Sequence, residues 1–526
     1  MPNMSVDAGP LLLSAGFLSI VYICWRYKVK ASNPYAHLPL PPARKGYPLI
    51  GNLLEMPTEF EWKTFHEWSR ELGTDILRVT VAGTTLIVLD SSEAAAELLE
   101  RRSSKYSGRA RMPMVNELMG WDFNFGFQDY GPSWRRRRRL MHYNFHPNAS
   151  LRFRPKLVKA ARNLLARFLV HPEAVVSNAK YMAGEVVMSI AYGIDVLPKD
   201  DPYITAAEQG VHPLVAAGVP GAFLVDVLPI LKYVPEWVPG AGFKKKAREW
   251  RRLAQLMVEK PFEAAKKMMA DGEFPDCVVV ECLEKMPDLV DRDDAYTEDT
   301  IQSVAGSMYA AGSDTTSSAV ASCILGLLEK PEVLAKAQRQ LDSVLKPGHL
   351  PDFEDDLPYI TAIVMEALRW RDVVPIAIPH LLATDDEYKG YRLPKGAVIV
   401  PNGWAMLHNE EVYPDPFNFN PDRFLNPDGT INKSVRDPAH ACWGFGRRIC
   451  PGRFMAFSQI WIAVASLLAV YDIKKAVDED GHVIELTHEY TSALVCTPKP
   501  FRCSITPRSE EAEALIRSAS TQEHVF

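Results

Sequence analysis

Hydrophobic and polar positions fall into three patterns along this chain. From Ala8 to Trp25 the run "AGPLLLSAGFLSIVYICW" carries no charge, and about 18 to 20 apolar residues are what a helix needs to cross a bilayer. Arg26, Lys28 and Lys30 follow it, whereas only Asp7 and the amino terminus precede it. The positive-inside bias predicts residues 1–7 in the lumen, 8–25 as a single-pass anchor and the remainder in the cytosol. A cleaved signal peptide would place its basic residues ahead of the apolar run and a small-residue cleavage site behind it. The second pattern is alternation. Residues 75–90, "DILRVTVAGTTLIVLD", switch between apolar and polar around Ala82-Gly83, which is a strand, turn, strand signal. The third pattern is helical spacing near 151–170, 244–270, 297–330 and 356–370, with Thr297 placed to cap one helix and Pro331 to stop it. That helix would extend about 50 Å at ~1.5 Å per residue, enough to cross the whole body.

Between anchor and body lies a basic, proline-rich connector, residues 26–52, ending in "LPLPPARKGYPLIGN". Its prolines fix φ and remove donors, so it is expected to be a stiff hinge. Residues 53–506 are expected to be one mainly α domain with a minor β-sheet region, and residues 507–526 a polar, frayed C-terminal tail.

Charge and cysteine usage narrow the function. The chain has 526 residues, 47% of them hydrophobic, and a formal net charge of −6. Affinity for nucleic acid needs clustered cations and counterion release, so it is not expected here. Cys24, Cys277, Cys282, Cys323, Cys442, Cys450, Cys496 and Cys503 are scattered, which suits free thiols in a reducing compartment. One run contradicts the acidic average: Arg135 to Arg139 follow Trp134. It reads either as a solvated helix face or as a docking surface for an acidic partner.

The candidate chemistry centres on "ACWGFGRRICPGRF", residues 441–454. Gly444, Gly446 and Gly452 bracket Cys450, and an apolar helical run starts just after it. Glycines let the backbone turn tightly beside a bulky group, and helix N-terminal N–H groups favour a thiolate. A thiolate in a glycine-lined apolar loop suits ligation of haem iron from one side. A zinc site would need short paired ligand spacing, which Cys442 and Cys450 lack. A buried structural cysteine is the plainer alternative.

"WGFGRRICPG" resembles the cysteine-ligand loop of the cytochrome P450 family, with Trp443 where the family usually has phenylalanine. The resemblance extends from the proline hinge to about residue 505 and is nearest to fungal biosynthetic oxygenases. It implies the P450 fold, with haem (heme b) between a long central helix and the loop, Cys450 as axial iron ligand, and Gly452 and Arg448 at the cofactor. "MEALRW" and "PDRF" match the family's structural triad of Glu366, Arg369 and Arg423. Trp134 and Arg138 match a Trp-x-x-x-Arg that holds a haem propionate, as would His380 in "VVPIAIPH". Only Arg138 of the five arginines is then needed inside. "AAGSDTTSS" matches the oxygen-activating stretch: Ala311 and Gly312 would border the oxygen pocket, Thr315 would hydrogen-bond the oxygen being activated and Asp314 would relay protons. Glycine and hydroxyls in mid-helix suggest either a packing notch or a local distortion. Substrate contacts are expected from Phe123, Phe125, Phe127, Ile376, Ala377 and Ser492. Asp372 departs from the pattern, since the family often has proline there.

The implied activity is an endoplasmic-reticulum monooxygenase taking NADPH electrons through a flavoprotein reductase, with cytochrome b5 as a second donor. It would use O2 to hydroxylate, epoxidise or further oxidise a hydrophobic small molecule, a terpenoid before an indole or an aromatic polyketide. A haem-thiolate isomerase or dehydratase would need neither a reductase nor the Asp314-Thr315 pair. A non-catalytic haem-binding or nucleic-acid-binding protein would have no use for that pair either.

Overall fold

The structure, a computed structural model, describes residues 34–218, 223–289 and 291–520; the anchor expected at 8–25 lies outside them. The four helical stretches expected from the sequence appear with closely similar limits, among thirteen α-helices of five or more residues in the described part of the chain. In chain order they are α1 (Glu61–Glu71), α2 (Pro132–Phe145), α3 (Arg154–Val170), α4 (Val175–Tyr192), α5 (Pro202–Ala217), α6 (Gly242–Ala270), α7 (Val278–Leu289), α8 (Glu298–Glu329), α9 (Pro331–Val344), α10 (Pro358–Trp370), α11 (Gly403–Leu407), α12 (Arg453–Val470) and α13 (Glu510–Ala519).

The central element is α8. Thr297 caps it by accepting the Thr300 N–H at 3.3 Å, and it ends at Glu329, before Pro331. Helices α2, α4, α6, α7, α10 and α12 pack around it. Against α4 the approach is close because both helices present glycine. A Cβ on Gly312 would stand 2.9 Å from Val187, and one on Gly184 would stand 3.1 Å from the Tyr309 hydroxyl. Helix α12 is apolar enough to span a membrane by composition, yet 67% of that window is buried, which makes it a core helix.

The expected hairpin forms as β1 (Ile76–Val81) and β2 (Thr84–Leu89). They join β6 (Val398–Pro401) and β3 (His380–Leu381) in the order β1-β2-β6-β3, with β2 and β6 parallel. Antiparallel pairing of His380 with Ile399 fixes where that histidine sits. Two short ribbons complete the β structure, β4 (Asp386–Tyr388) with β5 (Tyr391–Leu393) and β7 (Tyr471–Lys475) with β8 (Cys503–Pro507).

The described part of the connector is bonded to the body. Arg78 donates its N–H to Pro42 and Arg392 donates to Pro39, each at 2.8 Å, and Asn52 donates to Thr80 at 2.6 Å. The prolines, having no N–H, offer carbonyls to the sheet edge instead. The segment after Pro507 is not frayed up to residue 520. Ser509 caps α13 by accepting the Ala512 N–H at 3.2 Å, Ile516 is fully buried, and the helix packs on α3. Ala512, Leu515 and Ile516 share one face at i, i+3 and i+4, so a polar composition still provides an apolar stripe.

Candidate active site

The Cys450 loop is closed by its own backbone. Gly444 donates to Ala441 at 3.2 Å, Ile449 to Gly446 at 3.2 Å, and Cys450 to the carbonyl of Trp443 at 2.8 Å. Gly444 and Gly446 have φ of 73° and 55°, and a Cβ on Gly446 would fall 1.9 Å from the Leu99 carbonyl oxygen. Only glycine allows that contact. Cys450 sits just ahead of α12, with its carbonyl accepting from Arg453 at 2.9 Å. Burial pushes its thiol pKa up, opposed by the N–H groups of Gly452 and Arg453 and by the charges of Arg138 and Arg453. An electropositive metal is what would tip this balance to thiolate. The seven cysteines among the described residues are all unpaired.

Beside the loop stands a group of cations. Arg448 donates to the carbonyls of Ser107 at 2.8 Å, Phe125 at 3.3 Å and Gln128 at 2.9 Å, and its guanidinium lies 4.5 Å over the Trp134 ring. Burial pushes Arg138 and Arg448 down to about 10. Arg109, which the sequence reading missed, is 7% exposed. It donates to the carbonyls of Gly126 and Pro379, each at 3.0 Å, and burial holds it well below the usual guanidinium value, with Arg448 adding to the effect. His380 is buried, with Nδ1 2.7 Å from the Tyr106 carbonyl; burial, then Arg109, hold it well below the usual imidazole value. The carboxylate that faces Arg109 and Arg448 is Asp129, whose Oδ1 already accepts the N–H groups of Arg109 and Tyr130. Buried cations in such excess suit an anionic ligand. Haem propionates meet that need, so these residues fit the group.

The arginine run divides differently from expectation. Arg137 is inside, bonded to Ser133, to Asp299 at 2.9 Å and to Ser303 at 3.0 Å. Residues 137 and 138 therefore both turn inward, toward α8 and toward Cys450 respectively. Arg139 pairs with Asp294 and, at 3.3 Å, with Asp293, while Arg136 reaches Asp294 at 3.6 Å. Arg135 is exposed, its guanidinium 5.6 Å over the Tyr130 ring.

In α8 a run of otherwise buried residues is interrupted at Ala310, Ala311, Gly312, Asp314 and Thr315, which stay accessible. The helix is continuous, so the distortion weighed from sequence is not a break; at Gly312 the packing notch holds. Thr315 donates its hydroxyl to the Ala311 carbonyl at 2.7 Å, the local back-bonding open to mid-helix threonine. Asp314 lies 3.1 Å from Lys180 of α4, which also reaches Glu208 of α5 at 3.7 Å.

Glu366 is fully buried and holds Arg369 through bonds of 2.7 and 2.8 Å and Arg423 at 3.1 Å. Arg369 also donates to Leu407 at 3.1 Å, and Arg423 to Pro414 at 2.8 Å. Tyr413, under Arg369, donates to the Arg436 carbonyl at 2.9 Å, ahead of the Cys450 loop. Of the expected substrate contacts, Phe125 and Phe127 are buried, and Ser492 accepts the N–H of Phe60, the residue ahead of α1, at 2.7 Å. Phe123, Ile376 and Ala377 are partly accessible. Phe123 packs against Gly306 of α8, at 3.3 Å from a Cβ placed there, and Ala377 is held at φ 50°.

A mainly helical body, a cysteine loop at a helix start and a basic anion cradle together define a haem-thiolate type of enzyme. The sequence profile described as Cytochrome P450 matches residues 41–505. The chain is 47% identical over 487 residues to cytochrome P450 monooxygenase 98 of Postia placenta, covering 92% of this chain and 93% of that one. It is 40% identical over 515 residues to tryptamine 4-monooxygenase of Psilocybe cyanescens, covering 97% and 99%. It is also 40% identical over 521 residues to cytochrome P450 monooxygenase ple1 of Rhodocybe pseudopiperita, 98% of each. The chain belongs to the cytochrome P450 family and is a monooxygenase of that family.

Proposed function

We propose that this monooxygenase takes NADPH electrons through a flavoprotein reductase, with cytochrome b5 as a second donor, to insert oxygen into a neutral hydrophobic small molecule of the terpenoid kind. The observation that carries the reading is the cluster of arginines beside the Cys450 loop, with Arg138 and Arg453 electrostatically in reach of the thiol. Bound haem supplies the electron and oxygen chemistry. Cys450, held by the loop and backed by Gly452, would ligate the haem iron. Trp134, Arg109, Arg138, His380 and Arg448 would hold the propionates. His380 then needs a proton on Nε2 to donate, and the neighbouring anion would raise its pKa to supply it.

Asp314 and Thr315 move protons toward the oxygen side. Thr315 gives up its bond to Ala311 to donate, and Asp314 exchanges with solvent past Lys180. Apolar Phe123, Ile376 and Ala377 keep water away from the reacting carbon. Neutral substrates are favoured because the Asp314 carboxylate is already paired. An indole is the second reading, favoured by the 40% identity to tryptamine 4-monooxygenase. An isomerase or dehydratase would leave the proton pair without a task.

Anchoring of residues 8–25 in the endoplasmic reticulum, with the body cytosolic, belongs to this reading. Support comes from exposed apolar side chains at Leu49 and Leu54, near where the described chain begins, and at Ile230, Tyr233 and Trp237. Reconstitution with a reductase and NADPH, offering sesquiterpenes and tryptamine in parallel, tests the function. Oxygenated terpenoid that requires NADPH is the expected product. Turnover of tryptamine alone would select the second reading, and product without reductant would overturn both.

A further inference from the structure

Asp372 follows α10 and precedes the turn 373–378, which carries Ile376 and Ala377. It is 4% exposed. Its Oδ1 accepts the Val374 N–H at 3.3 Å, and its Oδ2 is buried with no partner. Four segments meet around it. Cys496 donates its N–H to the Val373 carbonyl at 2.9 Å, and the Cys496 carbonyl accepts from Ser318 of α8 at 2.7 Å. Trp404 of α11 donates to the Pro375 carbonyl at 3.0 Å. The fourth segment is the loop leading to Cys450. A Cβ on Gly403 would stand 2.9 Å from Asp372 Oδ2, 3.3 Å from the Pro375 carbonyl oxygen and 3.8 Å from the Ala441 carbonyl oxygen. Asp372 Oδ2 and two carbonyl oxygens, one from the same turn and one from the Cys450 loop, therefore crowd one glycine. The carbonyls already accept, from Trp404 and Gly444, but Oδ2 has no donor, and a buried, unpartnered carboxylate oxygen is costly. A single proton on Oδ2 removes its charge and turns it into a donor toward the oxygens around Gly403.

Among the described residues no cation bonds to Oδ2. Arg371 lies 4.2 Å over the Trp370 ring and 5.1 Å over the Tyr490 ring. The titratable groups facing Asp372 from the cysteine loop and the terminal turn are the thiols of Cys442 and Cys496. Behind them stand Asp437, and Glu61 and Lys63 of α1. Just after α11, His408 faces Arg369 and Arg371.

We propose that Asp372 is a positioning residue that works as a carboxylic acid: protonated, it fastens the turn 373–378 to α11 and to the Cys450 loop, and ionised, it releases that turn and alters the substrate side of the site. Burial pushes this carboxyl up to about 7, so the change falls near neutral pH. A proline here would stiffen the turn with no proton involved. The consequence for substrate rests on the haem-thiolate reading above; the fastening itself does not.

The test uses the full-length holoprotein as wild type, Asp372→Asn and Asp372→Pro. Hydrogen exchange of residues 373–378, corrected for intrinsic chemistry, is measured at about pH 6, 7 and 8, bracketing the carboxyl. Affinity for phenylimidazole is followed in parallel by absorption. Wild-type protection should fall with pH, approaching about tenfold per unit above the midpoint if the released turn is fully ionised. Phenylimidazole affinity should change over the same range. Asp372→Asn and Asp372→Pro should show neither pH dependence, and the proline variant decides the matter if the asparagine variant does not fold. A wild-type exchange profile that does not move with pH, or that moves equally in the folded variants, overturns the proposal. Absence of any phenylimidazole shift at all three pH values would instead count against the haem reading, with the exchange data still deciding the role of Asp372.

Discussion

Glu185 shows how one buried side chain can set a pH dependence away from the site. On α4, one of its carboxyl oxygens accepts from Asn163 at 2.6 Å, and burial pushes it up to about 7. A carboxyl with a raised folded-state pKa contributes stability that is fully present below its unfolded value of about 4 and is lost as pH rises through about 7. Glu185→Gln should therefore flatten the melting temperature between about pH 5 and 7 and raise it relative to wild type at pH 8; an unchanged slope would mean this carboxyl ionises freely. At the site, Thr315→Ala removes the one mobile hydroxyl proton beside Ala311. NADPH use should then outrun product by about 10-fold or more, with peroxide released, whereas unchanged coupling would remove Thr315 from the proton path. The pairing of Glu366 with Arg369 was legible because a short helical spacing carries it. Arg109 and Arg137 were not, because their partners Pro379, Asp299 and Ser303 lie far off in sequence. Phe125 and Phe127 are buried, which the loop pattern alone did not show.

Elements carry the precision of the cysteine loop. Gly446→Ala would place a methyl 1.9 Å from the Leu99 carbonyl oxygen at a positive φ, so destabilisation above about 4 kcal/mol is expected, the range reserved for backbone strain and overpacking. Calorimetry and haem content should fall together; a stable, haem-replete variant would mean that the loop can shift away from Leu99. Glu366→Ala would strand two buried guanidiniums and should cost roughly 3–5 kcal/mol, read from the same melt. The contact of Gly446 with Leu99 is geometry that helix spacing does not show. The spacing did mark α3, α6, α8 and α10 within a few residues, because their periodicity runs over many turns. It was overlooked in α13, where three apolar positions lie among acidic neighbours and Ser509 supplies the cap.

Across the molecule, the arginine run is mostly satisfied from within. Arg136 and Arg139 answer Asp293 and Asp294 ahead of α8, which narrows the sequence expectation of a broad docking face to Arg135. Arg135→Glu should slow electron transfer from the reductase at low salt and much less at high salt, since screening shortens the reach of exposed charge. Equal rates at both salt levels would leave Arg135 merely solvated. The mainly helical class and the minor sheet were visible in the sequence. The meeting of α4 and α8 through Gly184 and Gly312, which leaves the accessible patch at Ala311 between buried stretches, depends on contacts across more than a hundred residues.

The central claim is that Cys450 binds haem iron as a thiolate. The most direct test is the absorption spectrum of the reduced, carbon-monoxide-bound protein, recorded for wild type and Cys450→Ser. The red-shifted Soret band of a thiolate ligand in wild type, absent from the variant, is the predicted result. A wild-type band of the histidine-ligated kind, or a protein that binds no haem while folded, would contradict it.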